Sequence, residues 1–366
     1  MKSFFSKLFS NALPAVILFI FLWLPVSSQQ QEPSKLEESL DNYFYNLRHR
    51  LDMLEKKIDD VLWFERVGDL AHIDKVFLAG TPPRDHETAK TLREKNPIKF
   101  WSYVFIPKSI DPSKKYPLIV LPHGGVHGDF NTYYAHIIRE LMAQQYIVVA
   151  PEYRGSTGYG RLTYELIDYG GLENDDVDIS RQYMIDNYSI IDQNRVGIVG
   201  WSHGGMIALM NIFENPHNFK CAFAGVPVSD LVARMGYKRP AYEDFFSADY
   251  HIGDGVHEDI DEYRRRSPVY HAHKLRTPLL IHTNTNDEDV HVLEVENLIN
   301  RLKALGKTFE YKIFEDIPGG HSFDRMDHAR GREIRFGIYK FLEKHLDPPV
   351  KFRNQQEMER AAYLYR

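Results

Sequence analysis

The stretch RVGIVGWSHGGMIALMNIF, residues 195–213, decides the fold predicted for this chain. It starts as a short apolar run typical of a buried strand, turns through glycines around Ser202, and continues as an apolar run typical of a buried helix. Residues 200–204, Gly-Trp-Ser-His-Gly, match the pattern G-x-S-x-G in the strand–turn–helix context that it requires. Such a turn lifts a serine hydroxyl above the edge of a sheet, beside the free N–H groups of a helix start, so Ser202 is a candidate nucleophile.

Composition places that turn in a large globular domain. The chain has 366 residues, of which 43% are hydrophobic and 13% aromatic, enough to bury an extensive core. Its formal net charge of −6 argues against a nucleic-acid partner, which would require a basic face. The single cysteine, Cys221, lies in an apolar run and cannot form an intrachain disulfide, so it is predicted to be a core residue.

Residues 1–28 have the pattern of an export signal. Lys2 and Lys7 precede an apolar run from Ala12 to Val26, and two serines follow it, so cleavage is expected to leave a mature start near Gln29. This pattern predicts a periplasmic or secreted protein. The alternative is an uncleaved anchor, because with its flanking phenylalanines the apolar stretch approaches the roughly 20 residues that span a bilayer. Only in that case is a membrane expected as a partner.

Residues 29–96 are interpreted as an N-terminal helical extension followed by a linker. Between Leu36 and Leu62, apolar residues recur at spacings of three and four among charged ones, the pattern of one or two amphipathic helices. We expect these helices to lie on the main domain rather than to form a coiled coil, because the pattern covers few heptads. A polar stretch ends the region and places a domain boundary near residue 97.

Predicted strands and helices alternate over residues 97–348, and residues 349–366 are interpreted as a C-terminal tail. Aliphatic strands between amphipathic helices indicate a mostly parallel central sheet with helices on both faces, and the serine turn makes this an α/β-hydrolase fold. In such sheets the chemistry gathers at the carboxyl ends of the strands.

Residues 231–270, rich in Tyr, Phe, Arg and Asp, interrupt this alternation. They are predicted to overhang the carboxyl ends of the strands. Tyr242, Phe245 and Phe246 are therefore candidate substrate-pocket residues. The alternative, given equal weight, is that these rings only pack the insertion itself.

Candidate partners of Ser202 follow two later strands. In this fold an acid and then a histidine come after the serine along the chain. Asp287 and Asp289 both follow one predicted strand, and His321 follows the next, after two glycines that let its loop fold back. An imidazole oriented by a carboxylate can take the serine proton, so His321 is the predicted base. The spacing leaves both aspartates open as the acid.

Two backbone N–H groups are predicted to bind a developing oxyanion. One belongs to His203 and the other to Gly125, in the loop after the strand that carries Leu-Pro-His-Gly-Gly. The side chain of His123, in the same loop, is interpreted as bracing that loop. No metal or other cofactor is expected, because His271 and His273 lack further ligands at zinc-site spacing.

Several motifs, taken in order, resemble the catalytic domain of the prolyl oligopeptidase family of serine peptidases, especially its acylaminoacyl-peptidase-like branch. They lie between residues 97 and 347 and read HGG, PEYRGSTGYG, GWSHGG, SPVYHA, LLIHTNTNDEDVHV and GGHSF. The resemblance implies that Ser202 is the nucleophile and His321 the base. It also selects Asp287 as the acid, because this residue stands three positions before Val290, as the family's acid does before its valine.

The chain departs from the family pattern in three places. Residues 29–96 are too few for the β-propeller that family members normally carry. The run HTNTND replaces the more usual His-Gly start of the acid loop, and His203 stands where a tyrosine commonly follows the serine. These departures leave the hydrolase expectation intact but weaken any expectation of aminopeptidase or proline specificity.

Three hypotheses for function follow from the sequence. The leading one is a serine peptidase that cleaves peptides through an acyl-enzyme. Its closest rival is a carboxylesterase that acts on acylated sugars or other small esters, because the same triad and oxyanion hole serve both reactions. The third is a catalytically silent binding protein, which the presence of all three triad residues argues against. The oligomeric state is not predicted.

Overall fold

The computed structural model describes residues 35–82 and 98–363. The predicted export signal, residues 1–28, lies outside these described residues. The chain divides into two compact units, residues 1–44 and 45–366. Of the first unit the structure describes residues 35–44, which are helical and place the rings of Tyr43 and Phe44 in edge-to-face contact.

The second unit is built on one eight-stranded sheet with the strand order β1-β2-β4-β3-β5-β6-β7-β8. The strands are β1 (Ala71–Ala79), β2 (Lys99–Pro107), β3 (Tyr116–Val120), β4 (Ile147–Glu152), β5 (Ile191–Trp201), β6 (Cys221–Gly225), β7 (Leu279–Asn284) and β8 (Glu310–Phe314). β2 runs antiparallel to both of its neighbours, and every later neighbouring pair is parallel. The mostly parallel sheet predicted from the sequence is confirmed.

Helices cover both faces of this sheet. They are α1 (Lys35–Val67), α2 (Ala135–Ala143), α3 (Arg161–Tyr164), α4 (Glu173–Asn187), α5 (His203–Glu214), α6 (Leu231–Tyr237), α7 (Pro240–Phe246), α8 (Ile260–Arg265), α9 (Pro268–His271), α10 (Val292–Ala304), α11 (Ala329–Leu346) and α12 (Gln355–Ala362). Apolar residues of α4, α5 and α10 pack in one core, and those of α2, α11 and α12 pack in the other. The predicted α/β-hydrolase fold is confirmed.

The central strands supply both cores at once. In β3, Leu118 and Val120 belong to the core with α5, whereas Ile119 between them belongs to the core with α2 and α11. Side chains alternate along a strand, so a strand covered on both faces must be apolar at every position. This explains the uninterrupted aliphatic runs of the sequence, and it explains why Cys221, in β6, is buried as predicted.

One strand and one helix, β1 and α12, lie in regions that were predicted from the sequence to be outside the catalytic domain. β1 falls in the region interpreted as helical extension and linker, yet it pairs with β2 along its whole length, so the sheet begins upstream of residue 97. α12 falls in the predicted C-terminal tail and buries Met358 and Ala362. Most positions of both elements are exposed or only partly buried, so neither carries a strong apolar pattern in the sequence.

The later part of α1 packs on the sheet unit through a face that the apolar pattern did not indicate. His49, Lys56 and Trp63, spaced seven residues apart, are buried. Leu51 and Leu54, from the apolar stripe of the same helix, are 52% and 55% exposed. The expectation of a helix lying on the main domain holds for this part of α1, and the contact uses the polar face and Trp63 rather than the leucines.

A buried ion pair and an aromatic stack hold this part of α1 in place. Nζ of Lys56 lies 2.5 Å from Oε1 of Glu152 at the end of β4 and donates to Oδ2 of Asp129 at 3.0 Å. The Trp63 ring stacks on that of Phe130 with centroids 5.3 Å apart. Burial opposes the charge on Lys56, but the two carboxylates outweigh it and raise its pKa. These specific contacts, rather than leucine packing, decide which face is buried.

Across residues 35–82 and 98–363, none of the helices combines the length and the apolar character needed to cross a membrane.

Candidate active site

Ser202 lies at the corner between β5 and α5 with backbone angles φ 60° and ψ −124°. A non-glycine residue rarely adopts a positive φ, so this turn is strained. Gly200 and Gly204 permit it, because a Cβ on Gly200 would lie 2.0 Å from the carbonyl oxygen of Gly204. The turn sets Ser202 at the N-terminus of α5, where the helix dipole favours negative charge.

Asp287 and His321 meet above the ends of the neighbouring strands β7 and β8. Nδ1 of His321 donates a hydrogen bond to Oδ2 of Asp287 at 2.7 Å. The other carboxylate oxygen, Oδ1, accepts from the backbone N–H groups of Asp289 and Val290, both at 2.9 Å. Asp287 is buried and held on both oxygens. It can therefore fix the orientation of the imidazole and leave Nε2 as the basic atom.

Nε2 of His321 faces a second carboxylate. Oδ2 of Asp289 lies 3.5 Å from it, and the Ser202 hydroxyl forms no hydrogen bond with another described residue. Lys238 and Arg234 donate to Oδ1 of Asp289 at 2.6 and 3.1 Å. Burial opposes ionisation of Asp289, but these two cations outweigh it and lower the pKa of its carboxyl. Asp289 is thus a negative charge beside the reactive edge of the imidazole.

The glycine loop after β3 lies directly beside the serine. A Cβ on Gly124 would come within 3.3 Å of the Ser202 Cβ. The N–H of Gly124 donates to the hydroxyl of Tyr134 at 3.4 Å. Among the described residues, the N–H groups of Gly125 and His203 donate to no other protein group. The two donors predicted from the sequence are therefore available to an oxyanion.

The His203 side chain links the two predicted donor residues, Gly125 and His203 itself, through a hydrogen bond. Its Nδ1 donates to the carbonyl oxygen of Gly125 at 2.9 Å, and its Nε2 lies 3.1 Å from Oε1 of Glu173. Oε2 of Glu173 accepts from the N–H of Gly171 at 2.9 Å. Sequence reasoning missed Glu173, because the start of α4 is distant from the serine turn along the chain and carries no local motif.

His123 braces the same loop from behind, as its interpretation from the sequence requires. Its Nε2 lies 2.9 Å from the hydroxyl of Ser156, and the Tyr153 hydroxyl donates to its carbonyl oxygen at 2.9 Å. Burial lowers the pKa of His123 to about 3, so its imidazole is neutral. Its ring is fully buried and is not available to a substrate.

Arg325 joins the histidine loop to the glycine loop and was also missed. Its Nη2 donates to the carbonyl oxygen of His321, and its Nη1 lies 3.8 Å from the position of a Cβ on Gly124. The carbonyl oxygen of Arg325 accepts from Nε2 of His136 on α2 at 2.7 Å. An arginine in a polar loop has no sequence signal of its own, since its role depends on the two loops it contacts.

The three predicted pocket residues take different positions. Phe246 is completely buried, and its ring centroid lies 4.9 Å from that of Tyr169, so it packs the insertion against the main domain. Phe245 is partly exposed and its ring meets that of His127, in the glycine loop, at 5.4 Å. The Tyr242 hydroxyl accepts from Nε of Arg234 at 3.0 Å. Phe245 and Tyr242 stay partly exposed beside the candidate site, whereas Phe246 reaches it only through Tyr169, whose ring centroid lies 4.2 Å from that of His203.

An open depression of about 510 Å³ lies beside the imidazole, lined by Asn286, Glu288, Asp289, Gly319, Gly320 and His321. In the part of the chain that the structure describes, no three His, Cys, Asp or Glu side chains lie close enough to hold a metal ion.

Comparison with known proteins places this arrangement in a family. A sequence profile described as the prolyl oligopeptidase family matches residues 132–349. The uncharacterized peptidase YuxL of Bacillus subtilis is 31% identical over 66% of this chain and 36% of its own length. The acylamino-acid-releasing enzyme of Arabidopsis thaliana is 29% identical over 63% of this chain and 30% of its own length. The match therefore spans about a third of these relatives.

Solved structures agree at the level of the fold. The acylaminoacyl peptidase of Pyrococcus horikoshii superposes with a TM-score of 0.64 at 19% identity, covering 79% of this chain and 44% of that one. The strained turn at Ser202 and the Asp287–His321 pair lie within the region that the family profile covers. The chain belongs to the prolyl oligopeptidase family.

Proposed function

We propose that this protein is a serine peptidase that cleaves peptides through an acyl-enzyme, with Ser202 as nucleophile, His321 as base and Asp287 as the orienting acid. One observation carries the proposal: a serine in a strained turn at a helix start lies in the same sheet edge as an imidazole hydrogen-bonded to a buried carboxylate at 2.7 Å. Membership of the family and the peptidase names of its relatives support it.

The proposed reaction uses these groups in a fixed sequence. His321 Nε2 takes the proton of the Ser202 hydroxyl as the serine oxygen attacks the substrate carbonyl, and the resulting oxyanion accepts from the N–H groups of Gly125 and His203. The imidazolium then gives its proton to the leaving amine, and the acyl-enzyme remains. Water, deprotonated by the same imidazole, releases the acid and restores the serine.

Movement of one charged contact is part of this proposal. His321 Nε2 must turn from Asp289 toward the serine oxygen, or Ser202 must rotate toward it, for the proton transfer to occur. Lys238 and Arg234 bind Oδ1 of Asp289 at 2.6 and 3.1 Å, so the 3.5 Å contact between Oδ2 of Asp289 and the imidazole is the weakest of these three contacts. Substrate binding in the depression beside His321 is expected to displace it.

A fluorophosphonate probe tests the nucleophile. The full chain should be labelled at Ser202, and Ser202→Ala should abolish both labelling and hydrolysis of peptide amides while the circular dichroism spectrum stays unchanged. Chelators should have no effect on the rate. Labelling at another residue, or amide hydrolysis that survives in Ser202→Ala, would contradict the proposed role.

Parallel rates on acyl-peptide p-nitroanilides and on p-nitrophenyl esters of the same acyl groups test the substrate class. A peptidase should show kcat/KM for the amides within the range of 10⁴–10⁸ M⁻¹s⁻¹ common to enzymes on their substrates. Hydrolysis of the esters alone would assign the protein to the carboxylesterases instead. Tyr242→Ala and Phe245→Ala should change the ranking of acyl groups, whereas Phe246→Ala should lower the melting temperature instead.

We also propose that the protein is exported, on the strength of Lys2, Lys7 and the apolar run that follows them. Cell fractionation of the full chain with a C-terminal tag, followed by mass spectrometry of its N-terminus, tests this. A mature start near Gln29 in an extracytoplasmic fraction is expected. An intact N-terminus in the membrane fraction would point to the anchor, and an intact soluble cytoplasmic chain would exclude export.

A further inference from the structure

The outer face of α1 carries an unpartnered apolar stripe. Its members within the second unit are Leu51, Leu54, Ile58, Val61 and Phe64, which are 52%, 55%, 55%, 69% and 62% exposed. A soluble monomer rarely shows so many large apolar side chains in one contiguous row. His49, Lys56 and Trp63, on the opposite side of the same helix, are the residues that fix it to the sheet unit.

The stripe has the spacing of a coiled-coil seam. Its small number of heptads argued against a coiled coil from the sequence, but the structure leaves the stripe exposed instead of packing it on the domain. From Leu47 the apolar residues follow at positions 51, 54, 58 and 61, alternating steps of four and three. This assigns Leu51 and Ile58 to heptad position a, and Leu47, Leu54 and Val61 to position d. The buried residues 49, 56 and 63 then all fall at position f, which points away from an a/d seam. The face left open is thus the one that a second helix would cover.

The flanking charges indicate what that second helix is. In a parallel pair, position g of one helix meets position e of its partner five residues later. Arg50 is at g and Glu55 at e, so a second copy of α1 in parallel register gives two Arg50–Glu55 pairs related by a two-fold axis. An antiparallel pair would set g against g, where Arg50 and Lys57 are both cationic. Arg50 and Glu55 form no ion pair with another residue that the structure describes.

The rest of the second unit permits this arrangement. Its contacts with α1 lie at position f and, through Asp59 and Asp60, at the neighbouring positions b and c. Because all three positions face away from an a/d seam, the two sheet units would lie on the outer sides of the helix pair and leave the seam clear. The contacts of Lys56 and Trp63 already hold this part of α1 as a helix. Association therefore does not carry the cost of folding the helices, which limits short isolated coiled coils.

We propose that the protein forms a homodimer through a parallel, in-register pairing of α1 with α1 of a second copy, with Leu51, Leu54, Ile58 and Val61 in the seam. The occupant of the apolar stripe is the same stripe of the other chain. Arg50 and Glu55 set the parallel orientation.

Sedimentation of the purified full chain tests the seam. The wild type should sediment as a dimer at micromolar concentration, and L51E/I58E should be monomeric with an unchanged circular dichroism spectrum. L162E/L293E is the matched control, because it places the same two charges on exposed leucines of α3 and α10, which are 68% and 63% exposed. This control should remain dimeric. A wild type that is monomeric throughout, or L51E/I58E that remains dimeric, would overturn the proposal.

Charge reversal and cross-linking test the orientation. R50E and E55R should each weaken the dimer at least tenfold, and the double reversal R50E/E55R should restore it. L54C should form a disulfide dimer on oxidation, whereas M53C, off the seam at position c, should not. A dimer that ignores the charge reversals, or that cross-links through M53C but not L54C, would overturn the parallel register. Association lost only when residues 1–28 are removed would show that the N-terminal segment, rather than the α1 stripe, holds the copies together.

Discussion

Nε2 of His321 lies 3.5 Å from Oδ2 of Asp289, while the same ring donates from Nδ1 to Asp287 at 2.7 Å. Two carboxylates thus flank one imidazole, and they differ in how they are held. Asp287 is buried and bound by backbone N–H groups, whereas Asp289 is partly exposed and bound by Lys238. The first geometry suits a permanent orienting acid, and the second suits a charge that gives way to a substrate.

The two aspartates should therefore respond differently to loss of charge. Asp287→Asn should lower kcat by about 10³–10⁴-fold, because an amide no longer holds the imidazole in the required tautomer. Asp289→Asn should change kcat less than tenfold and act mainly on KM. Steady-state kinetics on one peptide amide compares the two, with circular dichroism as the control for folding. A larger loss of kcat in Asp289→Asn would reassign the acid.

The His203 side chain should position the oxyanion donors. His203→Leu keeps the backbone N–H but removes the hydrogen bond to the Gly125 carbonyl, so kcat should fall about tenfold or more, equivalent to roughly 1.4 kcal/mol, with KM little changed. His203→Gln, which can still donate to that carbonyl, should recover part of the loss. If both variants lose kcat equally, the hydrogen bond to Gly125 is not what matters.

Breaking the ion pair between α1 and β4 should destabilise the fold. Lys56→Met leaves the Glu152 carboxylate buried without its partner, and such a loss costs about 3–5 kcal/mol. Guanidinium unfolding measures it, with the exposed Lys57→Met as the control, expected within about 0.5 kcal/mol of the wild type. Adding Glu152→Gln to Lys56→Met should recover stability. Equal effects of the Lys56 and Lys57 changes would show that α1 is not held by this pair.

His282, buried in β7 between the rings of Phe223 and Phe314, should make the fold sensitive to acid. Burial lowers its pKa to about 3 in the folded protein, whereas the unfolded chain binds the proton near the ordinary value of about 6.5. Below that pH the unfolded state binds more protons, so the free energy of unfolding falls as pH falls. Between pH 7 and 5 this one residue contributes a loss of about 2 kcal/mol.

Denaturant unfolding at the two pH values isolates this effect. In His282→Leu, the difference in unfolding free energy between pH 7 and pH 5 should shrink by about 2 kcal/mol. Phe223→Leu removes a ring in contact with His282 but no titratable group, so it should lower stability by the same amount at both pH values. An unchanged pH dependence in His282→Leu would mean that other groups cause the acid sensitivity.

Local patterns in the sequence predict most of the fold. The serine turn is readable because strand, glycines and helix are consecutive, and the parallel sheet is readable because strands covered on both faces must be apolar throughout. His321 was found because it follows a strand in a known order, whereas the choice of Asp287 over Asp289 came from the resemblance to the family. β1 and α12 were not predicted, since elements on the outside of the fold are only partly apolar.

What the sequence by itself determined is the fold class, the serine corner and the residues available to serve it, because each depends on neighbours along the chain. Tertiary structure alone decided which side chains from distant parts of the chain contact one another. Glu173 reaches His203, Arg325 reaches the glycine loop, and Lys56 reaches Glu152, so that the polar face of α1 is buried and its leucines are left outside. Apolar spacing reports that a helix has a face to cover, but a buried charge must be paired, and the partner's position in space determines which face turns inward.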